Sequence, residues 1–177
     1  MKILMLTGSP RRRGATNLMA DAFRKGAEEN GHTVVRFDCA RMDVHPCTGC
    51  FSCRKDGPCV LRDDMVSVER EIPNTDVLVY VTPVYYAGMS AQIKTVIDRF
   101  YSFNTTFKRV HPKMALITSA HERVSSSTDV VIRQYREILK YIGSEDLGTV
   151  NALGIQDPED LEGTDFVQKA YELGRSI

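Results

Sequence analysis

The sequence predicts an α/β domain, a single doubly wound sheet of five parallel strands with helices on both faces. Three observations predict it. Short apolar runs rich in β-branched residues recur five times, each is followed by an apolar pattern at helical spacing, and no linker, repeat or low-complexity tract interrupts the 177 residues. Strands that alternate with helices bury a parallel sheet between two helical layers. A chain of this length can hold such a core without disulfides or metals. We read residues 1–177 as one domain.

Each element follows in order. Residues 2–6, KILML, form the first strand and stop at TGSPRRRGAT, a Gly/Pro/Ser loop. Leu18, Met19, Ala22, Phe23, Gly26 and Ala27 then fall at helical spacing, and Asn30-Gly31 stops that helix. TVVRF (33–37) reads as the second strand, and DDMVSVERE (63–71) as a helix with acidic residues suited to its positive end. DVLVYVT (76–82) and KMALITS (113–119) are almost wholly apolar, as strands covered on both faces should be. Between them SAQIKTVIDRFYSF (90–103) is an amphipathic helix. STDVVIRQYREILKYIG (127–143) is the next helix, GTVNALG (148–154) the fifth strand, and 157–177 the last helix, with Pro158 in its first turn. Five such units suit the flavodoxin-like strand order 2-1-3-4-5, in which a ligand sits at the switch point between strands 1 and 3.

Composition removes several function classes. Lys plus Arg equals Asp plus Glu at 23 each, so no global charge points to nucleic acid or to a membrane surface. No apolar run approaches membrane-spanning length. The opening MKILMLTGSP is too short and too strand-like for a secretory signal, so the expected location is cytoplasmic. In that reducing compartment five cysteines point to metal or redox chemistry rather than to a disulfide framework.

Four of the five lie in CTGCFSCRKDGPC, residues 47–59. Cys47, Cys50, Cys53 and Cys59 can bind zinc tetrahedrally or hold an iron–sulfur cluster, or the run can be a reduced, metal-free loop. The first three have the C-x₂-C-x₂-C spacing of ferredoxin-type ligation, while zinc usually takes two separated pairs. Gly49 and Gly57-Pro58 suit a loop that bends around a bound group. Cys39 lies outside the pattern and reads as a buried thiol at a strand end. His32, His45 and His111 read as surface residues, with His45 placed to donate towards a nearby sulfur.

Two loops carry the other chemistry. A phosphate needs several converging donors, and amides entering a helix N-terminus supply them. In TGSPRRRGATN, Ser9, Thr16 and Asn17 add side-chain donors, and Arg11, Arg12 and Arg13 offset a dianion. Neither a Walker A loop nor GxGxxG is present, so a dinucleotide pyrophosphate has no support. The loop TPVYYAGMSAQIK (82–94) follows the strand expected beside strand 1, and its Tyr85 and Tyr86 would flank a flat ring. A phosphate-plus-ring ligand therefore fits the pair of loops better than either loop fits alone.

GSPRRRGATNLM and TPVYYAGMSAQIKTVIDR resemble the two signature segments of the NADPH-dependent FMN reductase family. With the cysteine run and the DDM after it, the chain is similar to the iron–sulfur flavoproteins that share that core. The resemblance spans roughly residues 1–118. It implies that Ser9, Arg11, Thr16, Asn17 and Leu18 hold an FMN phosphate, and that Pro83, Val84, Tyr85, Tyr86 and Gly88 lie along the isoalloxazine. It also implies a [4Fe–4S] cluster on Cys47, Cys50, Cys53 and Cys59. SAHERVSSS (119–127) departs from the glycine-rich turn often seen at that place, so no contact is carried over from it, His121 included. Strand 2 neighbours strand 1, which sends the cysteine run from the same sheet edge as the first loop. A cluster there would lie near the flavin of its own chain or of a neighbour.

The function expected is an FMN-dependent oxidoreductase that moves electrons, with NAD(P)H or ferredoxin as donor and a small molecule or a protein as acceptor. A cluster-free NAD(P)H-dependent FMN or quinone reductase is the alternative, and a zinc-binding, non-catalytic module is a further one. The cysteine loop and aromatics near Tyr86, Phe100, Tyr101, Phe103 and Phe107, expected to be exposed, suggest a homodimer or homotetramer.

Overall fold

The chain runs β1 (Lys2–Thr7), α1 (Ala15–Glu29), β2 (Thr33–Asp38), α2 (Met65–Glu71), β3 (Val77–Tyr85), β4 (Gly88–Met89), α3 (Ala91–Arg99), α4 (Asn104–Val110), β5 (Lys113–Ala120), α5 (Ser126–Ile142), β6 (Asp146–Leu153) and α6 (Phe166–Arg175). This computed structural model describes residues 1–54 and 57–177; Lys55 and Asp56, inside the cysteine run, lie outside the described residues. The parallel strands order as β2-β1-β3-β5-β6, the expected 2-1-3-4-5 arrangement. β4 is a short antiparallel addition to β3.

The period-2 alternation of the central strands sends side chains to two separate cores. Ile3, Met5, Val77, Val79, Val81, Ala115 and Ile117 meet α1 and α6 on one face. Leu4, Leu6, Leu78, Tyr80, Met114 and Leu116 meet α2, α3, α4 and α5 on the other. α1 and α6 touch at backbone distance: a Cβ on Gly26 would stand 2.1 Å from the Tyr171 carbonyl oxygen, and one on Gly174 would stand 2.1 Å from that of Phe23. Any side chain at either place would part the two helices.

Three expectations need correction. The helix expected over 90–103 stops at Arg99, and a 3₁₀ turn (Phe100–Phe103) leads into α4, in a stretch for which the sequence predicts no element. Ser102 donates its hydroxyl to the Arg99 carbonyl at 3.0 Å, and this local bond competes with helix continuation. Phe100, Phe103 and Phe107 pack on one another at centroid distances of 5.3, 4.7 and 5.5 Å. They are buried rather than exposed, so they cannot serve an oligomer contact; Tyr86 and Tyr101 are the exposed ones of that set. The last helix begins at Phe166, not at 157. Residues 158–161 instead close a single 3₁₀ turn, because the Asp160 carboxylate accepts from the Gln156 and Asp157 amides at 2.9 Å each. Among the described residues no helix is long and apolar enough to cross a membrane.

Candidate functional site

The turn between β1 and α1 is fixed from several sides. The Gly8 amide donates to the Val81 carbonyl at 2.8 Å, and the Gly8 carbonyl accepts from Ser90 Oγ at 2.8 Å. Ser90 N in turn donates to Thr82 Oγ1 at 3.0 Å. The packing is so close that a Cβ at Gly8 would stand 2.4 Å from Ser90 Oγ and 2.9 Å from Ile93 Cβ. Only glycine lets β1 approach the start of α3 in this way. Further along, Asn17 Nδ2 donates to the Arg11 carbonyl at 2.7 Å and to that of Arg12 at 3.3 Å. Ser9, Thr16 and Asn17 are 6%, 2% and 4% exposed. No side chain caps α1 at Gly14, so among the described residues the amides of Ala15 and Thr16 have no acceptor and stand as free donors at the positive end of this 15-residue helix.

These donors open onto a cavity of about 120 Å³. It brings Ser9, Arg11 and Thr16 together with Pro83, Val84 and Tyr85, six of the residues the sequence singled out. Asn17, Leu18, Tyr86 and Gly88 do not line it: Asn17 is spent on the turn itself, Leu18 is 37% exposed, and Tyr86 and Gly88 belong to the β3–β4 hairpin. That hairpin turns through Tyr86 and Ala87 at φ 46° and 61°, where non-glycine residues are strained, and it leaves the Tyr86 ring fully exposed. Sequence reasoning missed Ser119 and Gln156, and it set His121 aside; Ser119 lines the cavity from the end of β5, and His121 and Gln156 line it from the loops after β5 and β6. Arg11 bridges to that second loop, with Nη1 donating to the Gln156 carbonyl at 3.0 Å and to Asp157 Oδ1 at 2.8 Å.

The cysteine run is held at its two feet. Arg99, at the end of α3, donates to Asp63 Oδ2 at 2.6 Å and Oδ1 at 3.2 Å, with both side chains at most 2% exposed. The same guanidinium donates to the His45 carbonyl at 2.9 Å and the Leu61 carbonyl at 3.4 Å, one on each side of the cysteines. Asp63 also accepts from the amides of His45 and Met65 at 3.0 and 3.1 Å. Burial pushes the Asp63 carboxyl up, but these hydrogen bonds and the Arg99 charge outweigh it and hold it below 3.8.

Above the feet, Cys47, Cys50, Cys53 and Cys59 all line a second cavity of about 290 Å³, walled by Phe51 and Tyr101. Burial and the nearby Cys59, Cys47 and Cys50 push the Cys53 thiol up, while hydrogen bonds from Ser52 and Thr48 draw that of Cys50 down. Among the described residues no three Cys, His, Asp or Glu side chains are placed to share one metal ion. Four thiols around one cavity are the donor chemistry that an iron–sulfur cluster or zinc takes. The two cavities share no lining residue. The run leaves the end of β2 as expected but folds back to Asp98 and Tyr101, and Asp98 lies roughly 12 Å along α3 from Ser90. Cys39, outside the run, is buried as expected, and burial pushes its thiol up to about 12.

Known proteins are similar to this chain. Residues 1–155 match the family described as NADPH-dependent FMN reductase. An iron–sulfur flavoprotein of Archaeoglobus fulgidus is 31% identical over 179 residues, covering all of this chain and 79% of that protein. One from Methanocaldococcus jannaschii is 32% identical over 99 residues, covering 56% of this chain and 51% of its own, so the match takes in about half of that relative. Among solved structures, an NAD(P)H:quinone oxidoreductase from Methanothermobacter marburgensis superposes with a TM-score of 0.77 at 18% identity, covering 99% of this chain and 95% of the other. An FMN-dependent NADH-azoreductase from Bacillus anthracis, solved with FMN, gives 0.66 at 17% identity, covering 99% and 97%. At these identities the two structures share the fold.

Proposed function

Because this chain belongs to the NADPH-dependent FMN reductase family and is a flavin-dependent oxidoreductase, we propose that its flavin is FMN, with the phosphate in the 8–17 turn and the ring along residues 83–88. The observation that carries this reading is the uncapped start of α1, whose free amides open onto the same cavity as the end of β3. That cavity, about 120 Å³, is smaller than the ~300–1,000 Å³ of a whole-cofactor pocket, so it suits the anionic end of a ligand whose remainder lies outside. Ser9, the Thr16 hydroxyl and the turn amides would bind the phosphate, with Arg11 exchanging part of its bond to Asp157 for the anion. Pro83, Val84 and Tyr85 would support the ring's edge and exclude water beneath it.

Cys47, Cys50, Cys53 and Cys59 would hold a [4Fe–4S] cluster, supported by their shared cavity and by the named relatives. When bound, FMN supplies two-electron chemistry and the cluster single-electron exchange. NAD(P)H is the proposed donor, with ferredoxin as the other source considered, and a small molecule or a protein the acceptor. Five free thiols suit the reducing cytoplasm. The exposed Phe51, Val60 and Tyr101 around the second cavity favour a homodimer or homotetramer that covers them, and a monomeric mass by light scattering at micromolar protein would count against this.

Heat-released flavin identified by chromatography, with iron and acid-labile sulfide assayed on the same sample, tests the whole reading. FMN accompanied by iron and sulfide is the expected result. FMN without iron would hand the function to a cluster-free reductase of quinones or flavins, and zinc without flavin would leave a binding module.

A further inference from the structure

Asn17 is expected among the phosphate contacts, yet its amide faces inward. Both Nδ2 bonds go to turn carbonyls, those of Arg11 and Arg12, and Oδ1 accepts from Arg36 Nη2 at 3.0 Å. Arg36 lies on β2 with its side chain 17% exposed, and the rest of its fork is spoken for: Nη1 donates to Asp21 at 2.6 Å and Nε to Asp38 at 2.7 Å. Asp38 accepts from Thr7 Oγ1 at 2.5 Å. One guanidinium therefore ties α1, β2 and β1 together directly behind the turn.

The consequence lies in the peptide planes. In a trans peptide the C=O and the following N–H point in opposite directions. Anchoring the Arg11 and Arg12 carbonyls on Asn17 therefore turns the amides of Arg12 and Arg13 away from Asn17. Among the described residues neither amide has a backbone acceptor. A half turn of the Asn17 amide would exchange oxygen for nitrogen, facing the carbonyls with an acceptor and Arg36 with a donor. Arg36, which can only donate, therefore adds to the carbonyls' hold and fixes the amide from its other side.

We propose that Arg36 is the positioning residue for phosphate recognition: by fixing the Asn17 amide it orients the turn's donors and sets the preference for a phosphorylated flavin over the bare one. This rests on the FMN reading above. Arg36 touches no part of the cavity, so its effect should fall on the phosphate and spare the ring.

The test titrates the refolded apoprotein with FMN and with riboflavin, following flavin fluorescence. Arg36→Met should weaken FMN about tenfold and leave riboflavin within about twofold. Arg36→Lys should lose most of the same preference, because one ammonium cannot reach Asn17, Asp21 and Asp38 together. Adding Asn17→Ala to Arg36→Met should cost much less than the two single losses summed, since both act through one amide. A variant that merely misfolds would lose riboflavin too; if Arg36→Met does so, Arg36→Lys carries the same expectation with the charge retained. Equal losses for both flavins in a folded variant, or no loss of FMN, would overturn the proposal. A parent protein that does not distinguish FMN from riboflavin would instead remove the FMN reading on which it stands.

Discussion

The turn at 8–17 buries its working groups, whereas the run at 47–59 exposes them. Ser9, Thr16 and Asn17 are almost fully covered, Asn17 is bonded to Arg36 on β2, and the neighbouring Gly8 carbonyl is bonded to Ser90. Cys47 and Cys50 are exposed, and a Cβ added at Gly49 would meet nothing within 4 Å. What order the run has comes from its feet, where Arg99 and Asp63 clamp both arms, and from local contacts such as Arg54 over the Phe51 ring at 4.0 Å. The difference teaches that the turn is set by the fold around it, while the run is fixed chiefly at its ends, as the proposed cluster loop would be before its metal arrives. A small anion is best met by donors already in place, because reorienting them would spend binding energy. Thiolates that share a metal repel one another until it arrives, so metal binding and loop ordering are coupled.

The largest effect should come from breaking the clamp. Arg99→Met strands the Asp63 carboxylate in a site where it is 2% exposed, which should cost about 3–5 kcal/mol of stability. Adding Asp63→Leu removes the stranded charge and should restore at least half of the loss. Urea midpoints of the parent, single and double variants measure this, and a single variant as stable as the parent would show that the feet do not hold the loop.

A smaller effect belongs to the turn. Thr16→Ala deletes a hydroxyl that has no partner in the chain among the described residues, so the fold should barely notice, while FMN should weaken by about 1.5–3 kcal/mol. Unchanged FMN affinity by titration would remove Thr16 from the site.

The smallest effect is a pH dependence confined to the clamp. Asp63 has a carboxyl held below its ordinary 3.8, so its contribution is fully present above that value and is lost as pH falls through the lower folded value. The parent should therefore lose stability faster below about pH 4 than the Arg99→Met/Asp63→Leu variant does. Parallel acid profiles for the two proteins would assign the acid sensitivity to other carboxylates, with Asp38, similarly held down by Thr7 and Arg36 against its burial, the next to examine.

The sheet was legible because its central strands are apolar on both faces, and a run such as DVLVYVT admits no other reading. The turn was legible from local chemistry alone, since glycine, serine and arginine between a strand and a helix suit one kind of ligand. His121 and Gln156 were not, because they reach the cavity from loops whose sequence carries no periodic signal, and Ser119 ends a strand whose apolar pattern says nothing of a ligand. The braces were hidden for another reason. Arg99 and Asp63 are 36 residues apart and Arg36 and Asn17 are 19 apart, so each pair exists only once the sheet has brought its strands together. α4 could have been found: Phe100, Phe103 and Phe107 keep helical spacing, but the poor helix formers Asn104, Thr105 and Thr106 between them masked it.

The central claim is that the two regions are independent, one preformed and one completed by its ligand. Cys50→Ser tests it most directly, because Cys50 lines the second cavity and no part of the first. The variant should lose iron and acid-labile sulfide, yet bind FMN within about twofold of the parent, since every contact that builds the turn remains. Full iron with Cys50→Ser would contradict its place as a ligand, and loss of FMN together with iron would contradict the independence of the two sites.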